Sequence, residues 1–327
     1  MSCRLHIRGI GAVSPAGWGV EALDLALAAQ TALATQELPG PVGQHPFRVR
    51  RVPVPARRPA FLTHARLRRS SAVSHFAVTA ALEALGSECE RVQKGDVRLG
   101  IVCSVMTGGV NYSRRFYREV LENPATASPL LFPETVFNAP ASHLAAVLGC
   151  PGRNYTLMGD QTAFIEGLAL GAVWLVQNEV DLCLVVATEE ADWLTAEALG
   201  LFEPGRVPAE GAGALCLGRA PETVELIAIS EPVPYVRGIS SNAAAVAARQ
   251  QFPTAADDLE LGSTDQTPGS VNHVLGEGFA AGGAWHCVAA VQALRAGRAR
   301  RAGVTLAGSN HQAIATQFQR TDFPLRP

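Results

Sequence analysis

Three features of the sequence point to an α/β protein. Short apolar strands lead repeatedly through a Gly-bearing turn into a helix, at Leu5 to Ala29, around Gly108-Gly109, and at Asn154 to Leu175. Further strands follow from Ala209 onward with less helix between them. The 327 residues, 48% hydrophobic and 17% charged, suffice for the large buried core that such units need.

Taken in order, Leu5 to Val13 reads as a strand, Ser14-Pro15-Ala16-Gly17-Trp18-Gly19 as a turn, and Val20 to Ala29 as a helix with a stripe at Leu23, Leu25 and Leu27. Thr35 to Pro59 is rich in Pro and Arg without periodicity, which predicts a surface loop wrapping the domain. A helix from Arg68 to Leu85 carries Ala72, Phe76, Ala80 and Leu85 at helical spacing, and Val97 to Cys103 is a buried strand. Met106-Thr107-Gly108-Gly109-Val110 then turns closely enough for the backbone to approach a substrate or a neighbouring helix. It lacks the Lys and the glycine spacing of a phosphate loop. The helix beyond it carries Tyr112, Phe116 and Tyr117.

Phe132 to Pro140 is extended and feeds a helix from Ala141 to Leu148. Asn154-Tyr155-Thr156-Leu157-Met158 is a strand that turns at Gly159-Asp160 into an apolar helix through Ile165, Leu168, Leu170, Trp174 and Leu175. Leu182 to Ala187 is a strand whose end, Thr188-Glu189-Glu190-Ala191-Asp192, reads as a solvated loop and helix start, since no His lies near to complete a metal site. Strands at Ala209 to Leu217 and Val224 to Ser230, an Ala-rich helix at Ser240 to Gln251, and an acidic then Gly/Ser/Thr loop from Asp257 to Asn272 follow. Gly276 to Ala281 opens a last helix, Ala284 to Leu294, and Val304 to Gly308 is expected to be the final strand.

A formal net charge of -2 leaves no footprint for nucleic acid or an anionic membrane, and the basic stretch Arg48 to Arg69 reads as solvated surface. Cys3, Cys89, Cys103, Cys150, Cys183, Cys216 and Cys287 are scattered, with no metal-ligand spacing, so buried free thiols in a reducing cytoplasm are expected, with no metal and no cofactor. The N-terminus has no apolar core of a signal peptide, and no run approaches the ~18 residues of a membrane span.

The position that stands out is Gln161. A strand turning into a helix puts it on the first helical turn, where free N–H groups and the helix dipole favour a nucleophile or an oxyanion. An amide cannot be a nucleophile.

Ordered motifs bear on this. Ile7-Arg8-Gly9-Ile10-Gly11-Ala12-Val13-Ser14-Pro15-Ala16-Gly17 is similar to V-T-G-x-G-x-V-S-P-x-G, and Phe132 to His143 to F-P-x-T-V-x-N-x-P-A-G-H. Glu210-Gly211-Ala212-Gly213-Ala214-Leu215 matches E-G-A-G-A-L, and Gly269 to Ala284 overlays without a gap on G-S-V-K-S-x-x-G-H-T-x-G-A-A-G-A. By these motifs the chain resembles the β-ketoacyl synthase family over nearly its whole length. The resemblance implies a thiolase-like five-layered αβαβα fold of two related halves, residues 1–205 and a shortened 206–327, packed as one unit. The shortfall falls between the Glu210 strand and Asn272, where a helical layer should be thinned.

That family condenses acyl chains by decarboxylation, with a Cys at a helix N-terminus as thioester nucleophile and two His residues that stabilise the enolate. The overlay puts Gln161 at the Cys, Asn272 at the Lys and Glu277 at one His. The other His has no counterpart beyond a remnant at Leu261-Gly262-Ser263-Thr264-Asp265. His143, His273 and Cys150 fall at non-catalytic positions, and Glu277 would repel a malonyl carboxylate.

Cys replaced by Gln within an intact strand, turn and helix is the pattern of chain length factors, silent partners of an active ketosynthase in type II polyketide systems. The resemblance then implies pairing through the strand Asn154, Tyr155, Thr156, Leu157 and Met158, with acyl carrier protein engaged only indirectly. It also makes Tyr112, Phe116 and Phe137 candidates for the wall of the acyl pocket, against the alternative of ordinary core aromatics. The short length and the ending Gly278 to Trp285 resemble factors of aryl-polyene and related conjugated-polyene pathways. Two other readings remain at this stage, a decarboxylase of malonyl carriers and a non-catalytic acyl-binding scaffold.

Overall fold

The computed structural model describes residues 4–321 apart from 44, 56, 58, 237–239, 265 and 266. The first unit is β1 (Leu5–Ser14), β2 (Gly17–Trp18) and α1 (Val20–Ala29), followed by β3 (Gln36–Leu38), β4 (Phe47–Val49), α2 (Ala72–Leu85) and α3 (Glu88–Gln93). Next come β5 (Leu99–Val105), α4 (Val110–Glu122), α5 (Ala139–Leu148), β6 (Asn154–Met158), α6 (Thr162–Val176), β7 (Leu182–Glu189) and α7 (Trp193–Phe202). The remainder is β8 (Gly211–Gly218), β9 (Val224–Ile229), β10 (Val233–Pro234), α8 (Ser241–Arg249), β11 (Leu259–Gly262), α9 (Val271–Leu275), α10 (Phe279–Arg295), β12 (Arg301–Ala307) and β13 (Gln312–Arg320).

The strands make one sheet in the order β11-β12-β13-β9-β1-β8-β7-β5-β6, with β2 and β10 beside it. Each half repeats a pattern. From β1 outward the pairings run antiparallel, antiparallel, parallel, parallel to β6, and from β9 outward they run antiparallel, antiparallel, parallel to β11. The second half stops one strand earlier. Strand β8, which follows the boundary expected at 205/206, pairs along its length with β1 and β7.

Five layers result. Helices α2 and α5 cover one face of the first half-sheet, α6 and α10 lie against its other face and against β12 and β13, and α8 covers the far face of the second half-sheet. The two main cores fall on the two faces of the first half-sheet, one built around α10, α6 and the second half-sheet, the other around α2 and α5. The outer core under α8 is a small set of alanines, which is the thinned layer. Close approach is built in by glycine: a Cβ on Gly9 would lie 1.9 Å from the Ala84 carbonyl oxygen, and one on Gly11 2.0 Å from that of Ala80, so α2 seats directly on the β1 backbone.

The structure corrects several element boundaries. Within Thr35 to Pro59, β3 and β4 form a hairpin. The helix expected from Arg68 begins at Ala72, with Ser71 as its N-cap. Leu259 to Gly262, read as loop, is a strand parallel to β12. The strand expected at Val304 to Gly308 is β12, which starts earlier and ends at Ala307, and it is followed by β13, whose Gln and Thr residues disguise a run buried from Ala313 to Phe318. Cys103, Cys183, Cys216 and Cys287 are buried free thiols, Cys89 and Cys150 are half-buried, and Cys3 lies outside the described residues. Burial pushes the Cys103 and Cys216 thiols up to about 12. No helix among the described residues is long and apolar enough to cross a membrane.

Candidate functional site

The N-termini of α6 and α10 meet at the centre of the molecule. A Cβ on Gly283 would lie 2.1 Å from the Gln161 carbonyl oxygen, and one on the adjacent Gly282 3.7 Å from the Glu277 carboxylate. Two glycines on the first turns of α10 thus bring the Cys-position and His-position residues to one place.

Gln161 is the N-cap of α6 and is 5% exposed. Its Nε2 donates to the Ala307 carbonyl at 2.7 Å, and its Oε1 is buried with no hydrogen-bond partner among the described residues. The preceding Asp160 accepts from Thr162 N (3.1 Å), Thr162 Oγ1 (3.0 Å) and Asn310 N (3.0 Å), so a carboxylate already takes one of the free N–H groups at the start of α6.

Ser263, in the remnant of the missing His motif, joins this network. Its Oγ accepts from Ala307 N at 2.9 Å, and its carbonyl accepts from Asn272 Nδ2 at 2.6 Å. Gln161, Ala307, Ser263 and Asn272 form one buried hydrogen-bonded chain. Asp265, the end of that remnant, lies outside the described residues.

Glu277 is buried, and burial raises its carboxyl pKa against the opposing charge of Arg206. Arg206 Nη1 donates to it at 2.6 Å, and Phe279 N at 3.0 Å. Arg206 is shared with Glu203, through Nε at 2.7 Å. Arg50, Arg206, Asn272, His273 and Glu277 line a small cavity of about 120 Å³.

His143 and His273 each make a local hydrogen bond. His143 Nε2 meets Glu134 at 2.6 Å, and the other Glu134 oxygen accepts from Ser71 N. Burial raises the Glu134 carboxyl, but those hydrogen bonds more than offset it and hold it below its ordinary value. His273 Nδ1 accepts from Gly269 N at the cap of α9. Cys150 follows α5, ahead of β6, away from the turn.

The acidic strand end is a correction. Glu189, Glu190 and Asp192 are buried, not solvated. Glu189 accepts from Met106 N, Thr107 N and Thr107 Oγ1, and Glu190 from Asn111 N at 2.9 Å, tying the Gly-Gly turn and the start of α4 to the end of β7. Burial pushes both carboxyls up to about 7. Asp192 caps α7 through Leu194 N and pairs with Arg114 at 2.8 Å.

Of the pocket-wall candidates, Tyr112 and Phe116 are half-buried and Phe137 is exposed. Tyr112 donates its hydroxyl to Arg69 O (2.9 Å), Phe116 packs on Phe132 with ring centroids 5.7 Å apart, and Phe137 is 37% exposed across Gly108. Among the described residues the strand β6 pairs only with β5, from Asn154 to Met158, and its other edge is open. Tyr155 and Met158 are 54% and 62% exposed, Asn154 is exposed, and Thr156 and Leu157 are half-buried. Tyr117, Leu121, Leu130 and Phe132, on α4 and the segment after it, add exposed apolar area.

Solved structures share this architecture. The ishigamide ketosynthase/chain length factor superposes with a TM-score of 0.81 at 17% identity, over 97% of this chain and 99% of that one. A β-ketoacyl synthase from Burkholderia phymatum gives a TM-score of 0.81 at 15% identity, over 97% and 99%. A ketosynthase in complex with its chain length factor from Xenorhabdus doucetiae gives 0.76 at 13%, over 97% and 98%. No protein-family model and no curated protein matches the sequence. The chain has the thiolase-like fold of ketosynthases and chain length factors.

Proposed function

We propose that this chain is a chain length factor, catalytically silent, that pairs with an active ketosynthase and shapes its acyl pocket in type II polyketide or polyene synthesis. The observation that carries the reading is the state of Gln161, an amide at the nucleophile position that cannot attack and whose donor is spent on Ala307. Asn272 is committed to Ser263 and Glu277 to Arg206. Neither is placed to stabilise an enolate, which weighs against a decarboxylase of malonyl carriers.

The open edge of β6 supports the partner. An exposed strand edge with Tyr155 and Met158 beside it suits continuation of the sheet into a second subunit, with main-chain hydrogen bonds for affinity and side chains for choice of partner. Tyr112, Phe116 and Phe137, on the structures held by the buried Glu189 and Glu190, then contribute to the partner's pocket wall. Acyl carrier protein docks on the active subunit and touches this chain only indirectly, and the assembly works in the cytoplasm.

Co-expression tests the reading. A stoichiometric complex with an active ketosynthase, in which product length changes when Phe116 or Phe137 is altered, is expected. Decarboxylation of malonyl carrier by the isolated chain would refute it, and a homodimer indifferent to any ketosynthase would favour an acyl-binding scaffold.

A further inference from the structure

Arg50 is a buried charge that neither the fold nor the proposed function accounts for. It follows β4 and is 8% exposed. Its backbone is pinned, with N donating to Pro208 O at 2.9 Å and O accepting from Glu210 N at 3.2 Å. Its Nε donates to Leu33 O at 2.8 Å. No described residue supplies a hydrogen bond to Nη1 or Nη2, or a carboxylate to the guanidinium. Burial lowers its pKa, and the neighbouring Arg48 adds to this. The Nη groups are therefore open to the cavity that Arg50 lines, where an entering acceptor can take both of their hydrogen bonds.

The cavity that Arg50 lines shows what fits there. Arg206 is committed to Glu203 and Glu277, and Glu277 is further held by Phe279 N, so this part of the wall carries its charge in closed pairs. Asn272 spends its amide donor on Ser263. His273 accepts from Gly269 N at Nδ1, which places its ring proton on Nε2 and makes that nitrogen a donor. The open donors are thus an arginine fork and an imidazole N–H, and Asn272 Oδ1, buried without a hydrogen-bond partner among the described residues, is an open acceptor that the hydroxyl of bicarbonate would satisfy.

We propose that this cavity binds a small, planar, singly charged oxyanion of the carboxylate or bicarbonate kind, gripped by Arg50 with His273 as second donor. The planar fork of arginine matches two coplanar oxygens. About 120 Å³ accommodates an ion of a few heavy atoms, and the Glu277 carboxylate on the wall disfavours a doubly charged one. The ion joins the segment after the β3-β4 hairpin to α9, so its binding stabilises the packing of the two against each other. This does not depend on the chain being a chain length factor.

Thermal unfolding of the full chain, titrated with sodium formate and with sodium bicarbonate at constant ionic strength, tests it. Both ions are expected to raise the melting temperature along a saturating curve, as binding to the native state requires, with sulfate giving no saturating component. Arg50→Gln should abolish the saturable rise, and His273→Ala should weaken formate binding roughly tenfold, measured by line broadening of ¹³C-formate. If Arg50→Gln fails to fold, His273→Ala and the line broadening decide. Absence of saturation, a rise shared by sulfate, or an unchanged formate affinity in His273→Ala overturns the proposal.

Discussion

Replacing Gln161 by Ala separates a structural role from a catalytic one. The side chain is 5% exposed, and its single hydrogen bond, 2.7 Å to Ala307 O, lies inside the network with Ser263 and Asn272. Truncation leaves that carbonyl with only the weak approach of Ser263 Oγ at 3.4 Å, which costs about 1–3 kcal/mol. The four side-chain atoms lost beyond Cβ leave a void between the N-termini of α6 and α10, costing ~1 kcal/mol more. Against this, the unpartnered Oε1 disappears and returns ~1 kcal/mol. The net is a destabilisation of about 2 kcal/mol, read as a shift of the denaturant midpoint at unchanged slope. In complex with an active ketosynthase the condensation rate should stay within about twofold. Gln161→Leu, which removes donor and orphan acceptor together while keeping volume, should cost less than the Ala variant. A loss of ~10³ in rate with stability unchanged, the signature of a missing oxyanion donor, would refute the structural account.

Further outcomes follow from other parts of the molecule. Met158→Asp or Tyr155→Asp, on exposed positions of the open edge, should leave the stability of the isolated chain within ~0.5 kcal/mol and abolish co-purification with a ketosynthase. Arg206→Met should destabilise by about 3–5 kcal/mol by leaving Glu277 buried without its cation, and the double variant with Glu277→Leu should recover most of that; equilibrium unfolding of the single and double variants measures the coupling. Glu189 has a folded-state pKa of about 7, raised by burial above its unfolded value, so its stabilising contribution is fully present below about pH 4.5 and is lost as the pH rises through 7. At ~1.4 kcal/mol per unit this is about 3 kcal/mol, and Glu189→Gln should flatten the fall in stability between pH 5 and 8, while Glu190 keeps the remainder. Gly283→Ala, whose Cβ would meet the Gln161 carbonyl, should cost about 1–3 kcal/mol, visible as a lower melting temperature.

Much of this was legible in the residues. Apolar periodicity located α1 and β6 to the residue, because an isolated run bounded by Gly and polar turns leaves little freedom in its ends. The degenerate position at Gln161 was visible because a strand, a Gly-Asp turn and an apolar helix force one residue onto a helix N-terminus. Strand β13 was missed since Gln312, Thr316, Gln317 and Gln319 look solvent-facing, although Gln317 is buried and donates its amide to Pro253 O. The burial of Glu189 and Glu190 was hidden for a similar reason: consecutive carboxylates read as surface, and their partners are backbone N–H groups more than 70 residues away in sequence. A single cue was available. The strand Leu182 to Ala187 is apolar throughout, which marks it as central, and a central strand carries its last residues into the protein before it can turn out. Arg50 had no cue at all, lying in a Pro and Arg stretch where Arg48, Arg51 and Arg57 are exposed.

The open edge of β6 also bears on how much of this chain a cell can hold. The unpaired edge of these five residues, with Tyr155 and Met158 exposed on it, is a template for an extended segment, and no Pro or Lys guards it. On the pairing proposed above, a copy made in excess of its partner meets other strands first, in nascent chains or in its own kind, and synthesis of the two is then expected to be matched in amount and in time.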